Sequence, residues 1–262
     1  MIQCVRNRVQ QLTVRTIDTD VIVLMISYRY VARNFECRVF GCLNTPSSTT
    51  YYDINKASID LGEQVCRALP FFYALTGCDI VSSFFNQGKC KFWDRWFESE
   101  ETEALTNAFI VLSERPEIIE NEQLDIIERF IGFVYYGRTI ESIDSERLLD
   151  FEHSTHSNLK LIPPSRAGLK EHVKRAAYYA GWLNYQCIEN VHLPPPTDWG
   201  WRMENGLYKP VWDSSANLVT ADLLTLTCGC TTEKCLKCKC ATSALPCLAF
   251  CNCKRKCIYS DI

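Results

Sequence analysis

The chain has 262 residues, of which 47% are hydrophobic and 12% aromatic. This composition excludes a disordered protein, because disordered chains contain too few apolar residues to build a core. The formal net charge is -3, yet residues 228–262 contain six basic and only two acidic side chains. If the protein contacts nucleic acid through charge, we therefore expect the contact at the C-terminus.

The N-terminal residues do not resemble a secretory signal. Residues 1–20 contain three arginines and no uninterrupted apolar stretch before a small-residue cleavage site. The longest apolar run, 21–26, is too short to cross a membrane. We expect an intracellular protein without membrane contact. In such a reducing compartment, clustered cysteines favour a metal site over disulfides.

The first elements alternate between strands and helices. Residues 11–17 are rich in β-branched side chains and predict a strand. The apolar run 21–26 fits either the start of a buried helix or a continuation of that strand. Two further strands are predicted at 36–43 and 51–54, and apolar residues at helical spacing predict a helix over 60–75. Within it, Pro70 is expected to start a new helix as a first-turn proline.

Acidic residues follow the first strand and the predicted helix. Asp18 and Asp20 form a D-x-D pair, and Asp79 lies in the turn Thr76-Gly77-Cys78-Asp79. Carboxylates at the edge of a parallel α/β sheet are suitable ligands for Mg²⁺ or Mn²⁺. A D-x-D pair taken alone is better explained as a helix N-cap with a charge at the positive end of the helix dipole.

Three segments in series resemble the PIN-like/flap-endonuclease superfamily: IDTDVIVLMIS, YYDINKASIDLG with RALPFFYALTGCD, and VSSFFNQGKCKFW. The resemblance covers residues 11–97 and implies that Asp18, Asp20 and Asp79 match metal ligands. It also implies a helix–turn–helix over the third segment, which grips duplex backbone in those nucleases.

Two departures from that family predict an inactive body. The family places an acidic strand and an E-A-D helix upstream of the matched segment, and this chain begins too late to contain them. The glycine-rich hairpin of the family keeps only Gly88, while Phe84 and Phe85 stand where a phosphate would approach the backbone. We therefore expect little or no cleavage by this chain and only weak binding of Mg or Mn.

The middle of the chain is predicted to be helical. Residues 98–103 are acidic and fit a solvated helix start, whereas 122–136 and 169–186 place apolar residues at helical spacing. The four histidines lack metal-ligand spacing and are interpreted as surface or structural residues. Seven cysteines outside the tail are interpreted as buried apolar thiols: Cys4, Cys37, Cys42, Cys66, Cys78, Cys90 and Cys187. The pair Cys37 and Cys42 has the spacing of half a metal site, without a second pair near it.

A proline- and tryptophan-rich segment follows. The run 194–196 predicts a stiff extended spacer. Its aromatic residues either pack onto the body, which we favour, or stack on bases; they are Trp199, Trp201, Tyr208 and Trp212.

Nine cysteines lie within residues 228–257 at the spacing C-x-C-x4-C-x2-C-x-C-x6-C-x3-C-x-C-x3-C. The segment has almost no apolar core to offset the ordering entropy of about 1–2 kcal/mol per residue. Covalent or metal-coordination bonds must therefore stabilise its fold. Zinc takes four tetrahedral thiolates, whereas a disulfide knot fits poorly with an odd number of cysteines. The predicted ligands are Cys228, Cys230, Cys235, Cys238, Cys240, Cys247, Cys251, Cys253 and Cys257.

This pattern resembles the tesmin-type CXC domain, in which nine cysteines bind three zinc ions and which contacts DNA in several families. The DNA-reading members carry a tyrosine before the fourth cysteine, where this chain has Lys237. Sequence-specific reading is therefore not expected to carry over. Phosphate contacts by basic residues stay open, beside an ordinary solvated face; the residues are Lys234, Lys237, Lys239, Lys254, Arg255 and Lys256.

The full organisation also resembles that of transposon-associated invertebrate proteins, in which an LTGCD body is joined to a CXC tail through segments such as LIPPSRAGLKEHVKRAAYYAGWL and ENGLYKPVW. The predicted fold is an α/β body with a parallel sheet, a helical middle and a small zinc-stapled module. The predicted regions are a truncated nuclease-like part at 1–112, a helical part at 113–190, a linker at 191–225 and the CXC module at 226–258.

Three functions are compatible with this sequence. The leading hypothesis is a nuclear, zinc-binding, nucleic-acid-associated protein of transposon-related origin, whose nuclease-like body is inactive. The second is a Mg/Mn-dependent phosphodiesterase completed by missing sequence or by a partner. The third is a zinc-dependent module that binds another protein.

Overall fold

The computed structural model describes residues 9–31, 36–115, 119–153, 161–185 and 194–213, together with residue 242. The nine cysteines and six basic residues of the predicted zinc module lie outside these described residues. The chain splits into two compact units, Met1–Ile143 with Pro163–Asp213 and Asp144–Ile162 with Ser214–Ile262. The sheets and the hydrophobic core described below belong to the first unit.

The first unit begins with a small sheet and its connecting helix. Strand β1 (Gln11–Thr16) is followed by helix α1 (Thr19–Val31), strand β2 (Arg38–Asn44) and strand β3 (Thr49–Asp53). The apolar run 21–26 therefore belongs to a helix, which settles the alternative left open by the sequence. The β-branched and aromatic residues of the three strands suit a pleated, half-buried surface.

The sheet is mixed, with the strand order β1-β2-β3. β1 runs parallel to β2, with Gln11 opposite Arg38, whereas β2 runs antiparallel to β3, with Phe40 opposite Asp53. The prediction of a parallel sheet is therefore wrong for its third strand. Only four residues join β2 to β3, and a connection this short allows an antiparallel hairpin but no parallel crossover.

Helices make up most of the rest of the unit. Helix α2 spans Ile54–Leu75, α3 spans Lys89–Glu98, α4 spans Thr102–Glu114 and α5 spans Asn121–Tyr136. Helix α6 (Ile143–His153) comes next in the chain and lies in the second unit from Asp144 onward, and α7 (Arg166–Tyr185) belongs to the first unit. A 3-10 turn (Pro196–Asp198) leads to a second, two-stranded sheet of β4 (Trp201–Glu204) and β5 (Leu207–Pro210). None of the helices in the described residues is long and apolar enough to cross a membrane.

Helix α2 is interrupted at Gly62 and not at Pro70. Gly62 has a φ of 74°, a conformation that costs a side-chain-bearing residue free energy, and this residue kinks the helix. Pro70 lies inside the helix, so the prediction that it starts a new one is wrong. The amide of Phe71 donates to Ser113 Oγ at 3.0 Å, which satisfies a backbone group beside the proline.

The core lies between α2, α3, α4, α5 and α7 and is rich in aromatic rings. The ring of Trp96 packs on Phe72 and Phe109 at centroid distances of 5.0 and 5.1 Å, and its indole nitrogen donates to Thr106 Oγ1 at 2.9 Å. The predicted apolar stripe of α5 is buried, which confirms the assignment of that helix. The acidic residues 98–103, predicted to start a helix, run from the end of α3 into the first turn of α4. The new helix begins at Thr102.

The segment expected to be a linker contains a folded hairpin. Trp199 is buried against the body, with its ring 5.9 Å from that of Tyr178, which confirms packing for this residue. Trp212 is 65% exposed, although the Arg175 guanidinium lies 5.5 Å from its ring centre.

Candidate functional site

The predicted acidic site begins at Asp18, which caps helix α1. Its Oδ1 accepts a hydrogen bond from the amide of Asp20 at 2.9 Å. The side chain is exposed and lies at the positive end of the helix dipole, where a carboxylate stabilises the first turn. The structure therefore supports the N-cap explanation of this half of the D-x-D pair.

Asp20 points inward and is only 9% exposed. Its Oδ2 accepts a hydrogen bond from the hydroxyl of Tyr179, which comes from helix α7. The hydroxyl of Tyr73 lies beside it and is hydrogen-bonded to Thr19 Oγ1 at 2.7 Å. Burial and the neighbouring Asp20 carboxylate both raise the pKa of Tyr73 and of Tyr179, so each phenol stays protonated.

The next charged group in this cluster is Lys89, the first residue of α3. Its ammonium donates to the carbonyl of Tyr73 and to Thr76 Oγ1, each at 3.0 Å, and to the carbonyl of Gly77. It also lies 4.0 Å from the centre of the Tyr73 ring. Burial lowers the pKa of Lys89. A cation here satisfies carbonyls at the negative end of α2, so Lys89 fixes the turn after that helix.

The turn itself brings Asp79 to the surface. Gly77 has a φ of 103°, and a Cβ at this position would meet the backbone of Ser83 at 2.7 Å, so only glycine fits this close crossing. Cys78 is half-buried, and burial raises the pKa of its thiol. Asp79 is exposed.

Among the residues that the structure describes, no group of three or more His, Cys, Asp and Glu side chains is arranged to hold a metal ion. Asp18 Oδ1 and Asp20 Oδ2 each accept a hydrogen bond, and Asp79 is exposed. The structure does not bring these three side chains together as one metal-binding group. The assignment of the three aspartates as metal ligands therefore stays a prediction.

The segment expected to form a helix–turn–helix is only partly helical. Residues 81–88 are irregular, and α3 begins after them. Phe84 is 7% exposed and packs inward, with its ring centre 5.2 Å from that of Phe92, whereas Phe85 is 55% exposed. Burial of the apolar Phe84 side chain holds this loop against the core. The predicted first helix of the motif is therefore absent from this segment.

The buried His172 forms hydrogen bonds to the loop 81–88 and to the end of helix α2. His172 Nε2 lies 2.8 Å from the carbonyl oxygen of Leu75, which can only accept, so the proton must be on Nε2. Nδ1 then accepts from the hydroxyl of Ser82 at 3.3 Å. Burial lowers the pKa of His172 to about 4. The interpretation of this histidine as structural is confirmed.

The cysteines of the body fit the predicted role only in part. Cys37, Cys42 and Cys66 are buried free thiols, as expected, whereas Cys90 is exposed. Burial raises the pKa of Cys66 to about 11, so this thiol stays protonated. The thiol of Cys37 donates to the carbonyl of Arg38, and the thiol of Cys42 donates to Asn44 Oδ1. Neither thiol belongs to a metal-binding group among the described residues.

The polar cluster around Asp20 includes residues that the sequence did not single out. Tyr179 lies 159 positions from Asp20 and belongs to a helix whose pattern indicates only burial. Lys89 is an ordinary basic residue in the sequence, and its contacts depend on the turn at Gly77. The spacing of residues in the sequence does not predict these contacts with Asp20, because long-range packing brings the residues together.

Comparison with protein-family models, with curated proteins and with solved structures finds no match to this chain.

Proposed function

We propose that the chain is a zinc-binding, nucleic-acid-associated protein of transposon-related origin, whose nuclease-like body does not cleave nucleic acid. The zinc part of the proposal rests on the cysteine spacing of residues 228–257. The part about the body rests on one observation, the hydrogen bond from Tyr179 to the buried carboxylate of Asp20.

This hydrogen bond bears on catalysis because it occupies one acceptor position of the Asp20 carboxylate and holds that side chain in the interior. A catalytic metal needs open carboxylate oxygens and room for water and substrate. A metal that took the position of this phenol at Oδ2 would displace the hydroxyl of Tyr179, a residue that is only 6% exposed. A buried hydroxyl without a partner costs about 1–3 kcal/mol. The geometry therefore favours a structural role for Asp20.

Nucleic-acid contact is assigned to the basic residues of the tail. The six cations of residues 228–262 lie between and beside the cysteines, so a zinc-stapled module would hold them at fixed positions. Lysine and arginine contacts to phosphates supply affinity that is independent of sequence and sensitive to salt.

Metal content and cleavage are measured first on the full chain. Native mass spectrometry of protein purified with zinc is expected to show three zinc ions, which EDTA removes. Incubation with flap, duplex and single-stranded DNA in Mg²⁺ or Mn²⁺ is expected to leave the DNA intact. Mg²⁺-dependent cleavage that Asp18→Ala abolishes would establish the phosphodiesterase alternative instead.

Binding is then measured by fluorescence anisotropy on duplex DNA across a salt series. A variant with the six tail cations changed to glutamine is expected to bind at least tenfold more weakly, with a shallower dependence on salt. The matched control changes six basic residues of the body to glutamine: Lys56, Lys91, Arg115, Lys170, Arg202 and Lys209. Zinc binding without DNA affinity at low salt would favour the protein-interaction alternative.

A further inference from the structure

The face of the three-stranded sheet opposite α1 and α2, named the open face, is exposed along its two outer strands, whereas Cys42 in the central strand is buried. The inward face carries Leu12, Val14 and Val39, which pack with Ile22 and Ile54. The register places three rows on the opposite, open face: Gln11 beside Arg38, Thr13 beside Phe40 and Asp53, and Arg15 beside Cys42 and Tyr51. In the central strand of this face Arg38 is exposed, Phe40 is half-buried and Cys42 is 1% exposed.

Among the described residues in its three rows, the open face carries two arginines and one aspartate. Arg15 and Arg38 are exposed, and neither forms an ion pair with any residue that the structure describes. The carboxylate on this face is that of Asp53, whose Oδ1 already accepts from the amide of Lys56 at 2.9 Å, where it caps helix α2. An anionic ligand would therefore meet two available guanidinium groups.

Aromatic rings lie between these charges. Tyr51 is 65% exposed and stands in the same row as Arg15, two strands away. Strands are about 4.8 Å apart, so that separation is roughly 10 Å. Phe40 is partly exposed, occupies the central strand in the next row, and lies two residues from Arg38. The face thus alternates cations and flat apolar rings over the dimensions of two or three nucleotides.

We propose that this open sheet face binds single-stranded nucleic acid. Bases stack on the rings of Tyr51 and Phe40, while Arg15 and Arg38 contact phosphates. Stacking of splayed bases on sheet aromatics requires unpaired strands, because the bases of a duplex are not accessible to a flat surface. The inference deepens the proposed function and rests on it in one respect, since both take nucleic acid as the partner.

The test uses the full-length, zinc-loaded protein and labelled oligo(dT) and oligo(U) of about 15 nucleotides, with duplex DNA of the same length. Tyr51→Ala is expected to weaken single-strand binding by roughly tenfold, from a stacking contribution of about 1–3 kcal/mol per base. The matched control is Tyr52→Ala, which changes the same residue type in the same strand on the opposite face and is expected to bind as the parent does.

The two arginines have a separate readout. In the Arg15→Ala/Arg38→Ala variant, the dependence of log affinity on log salt for single strands is expected to flatten by about 1.4, or 0.7 for each lost phosphate contact. Equal loss in Tyr51→Ala and Tyr52→Ala, or equal loss on single strands and duplex, overturns the proposal. A changed oligomeric state with unchanged nucleic-acid binding also overturns it and identifies the face as a contact between copies.

The six-glutamine tail variant separates this inference from the proposed function. If the tail variant loses binding and the sheet variants bind normally, the sheet inference fails while the proposed function stands. If the sheet variants lose single-strand binding and the tail variant does not, the sheet inference stands and the tail assignment fails. No binding by the parent protein to any oligonucleotide at low salt overturns both.

Discussion

The sheet and the helical core of the first unit differ in how completely they are covered. The helical core surrounds its aromatic side chains with α2, α3, α4, α5 and α7, so that Phe92, Trp96 and Phe109 are fully buried. The sheet covers one face with a small cluster of Ile22, Met25, Cys37, Val39 and Ile54 and exposes the outer strands of the other. We therefore expect stability to reside in the helices, whereas the exposed part of the sheet is the surface proposed for binding.

The largest expected effect comes from the aromatic core. Phe109→Ala should lower the free energy of unfolding by about 3–5 kcal/mol, because the ring is fully buried between Phe71, Trp96 and Phe130 and its loss leaves a cavity. Urea denaturation followed by tryptophan fluorescence measures it. Ile59→Ala, at a 77% exposed position of α2, serves as the control and should stay within about 0.5 kcal/mol. Similar losses in both variants would contradict the comparison.

The buried His172 makes the helical core sensitive to acid. Its pKa is about 4 in the folded protein against an ordinary value of 6.5, so between these values the unfolded chain binds the extra proton. Stability should therefore fall as pH drops from about 6.5 to about 4, by an amount on the order of 3 kcal/mol. The measurement is the urea midpoint across this range. In His172→Gln the slope should be smaller; an unchanged slope would exclude His172 as its source.

The three aspartates should rank by burial. Asp20→Ala is expected to cost about 2 kcal/mol, because it leaves the Tyr179 hydroxyl buried without its partner. Asp18→Ala removes an N-cap and should cost about 1 kcal/mol, and Asp79→Ala, at an exposed position, should cost almost nothing. Thermal denaturation with and without Mn²⁺ provides the ranking. If Mn²⁺ stabilised the parent and none of the three variants, these residues would form a metal site after all.

The smallest effect is expected on the open face of the sheet. Thr13→Ala should change the free energy of unfolding by less than about 0.5 kcal/mol, because the side chain is exposed on that face. Its neighbour Val14 packs against the inner cluster, and Val14→Ala should cost about 1 kcal/mol. Equal costs at the two positions, measured by urea denaturation, would mean that the open face is covered.

Local patterns predicted most of the secondary structure. The β-branched residues of β1 and the apolar stripe of α5 locate these elements within one residue. The sequence did not reveal the direction of β3, because strand direction depends on the short connection and on tertiary pairing. The hairpin of β4 and β5 was hidden among prolines and tryptophans, although Asn205-Gly206, both at positive φ, is a strong hairpin-turn signal.

The candidate site was less predictable than the fold. The position of Asp18 as a cap follows from local sequence, since capping involves residues two or three apart. The partners of Asp20 and the inward turn of Phe84 depend on α7 and on the core, which no local pattern specifies. Carboxylates spaced like metal ligands can therefore accept structural hydrogen bonds when long-range packing places phenols beside them.

The kink at Gly62 has a consequence for how the molecule opens. It divides α2 between the two clusters, with Ile54 in the sheet cluster on one side and Ala68 to Leu75 in the helical core on the other. Cooperative unfolding units commonly follow such divisions. Native-state hydrogen exchange should therefore show lower protection for residues 54–61 than for residues 64–75 of the same helix. If the sheet binds single-stranded nucleic acid as proposed, we expect the sheet to open locally while the aromatic core stays folded.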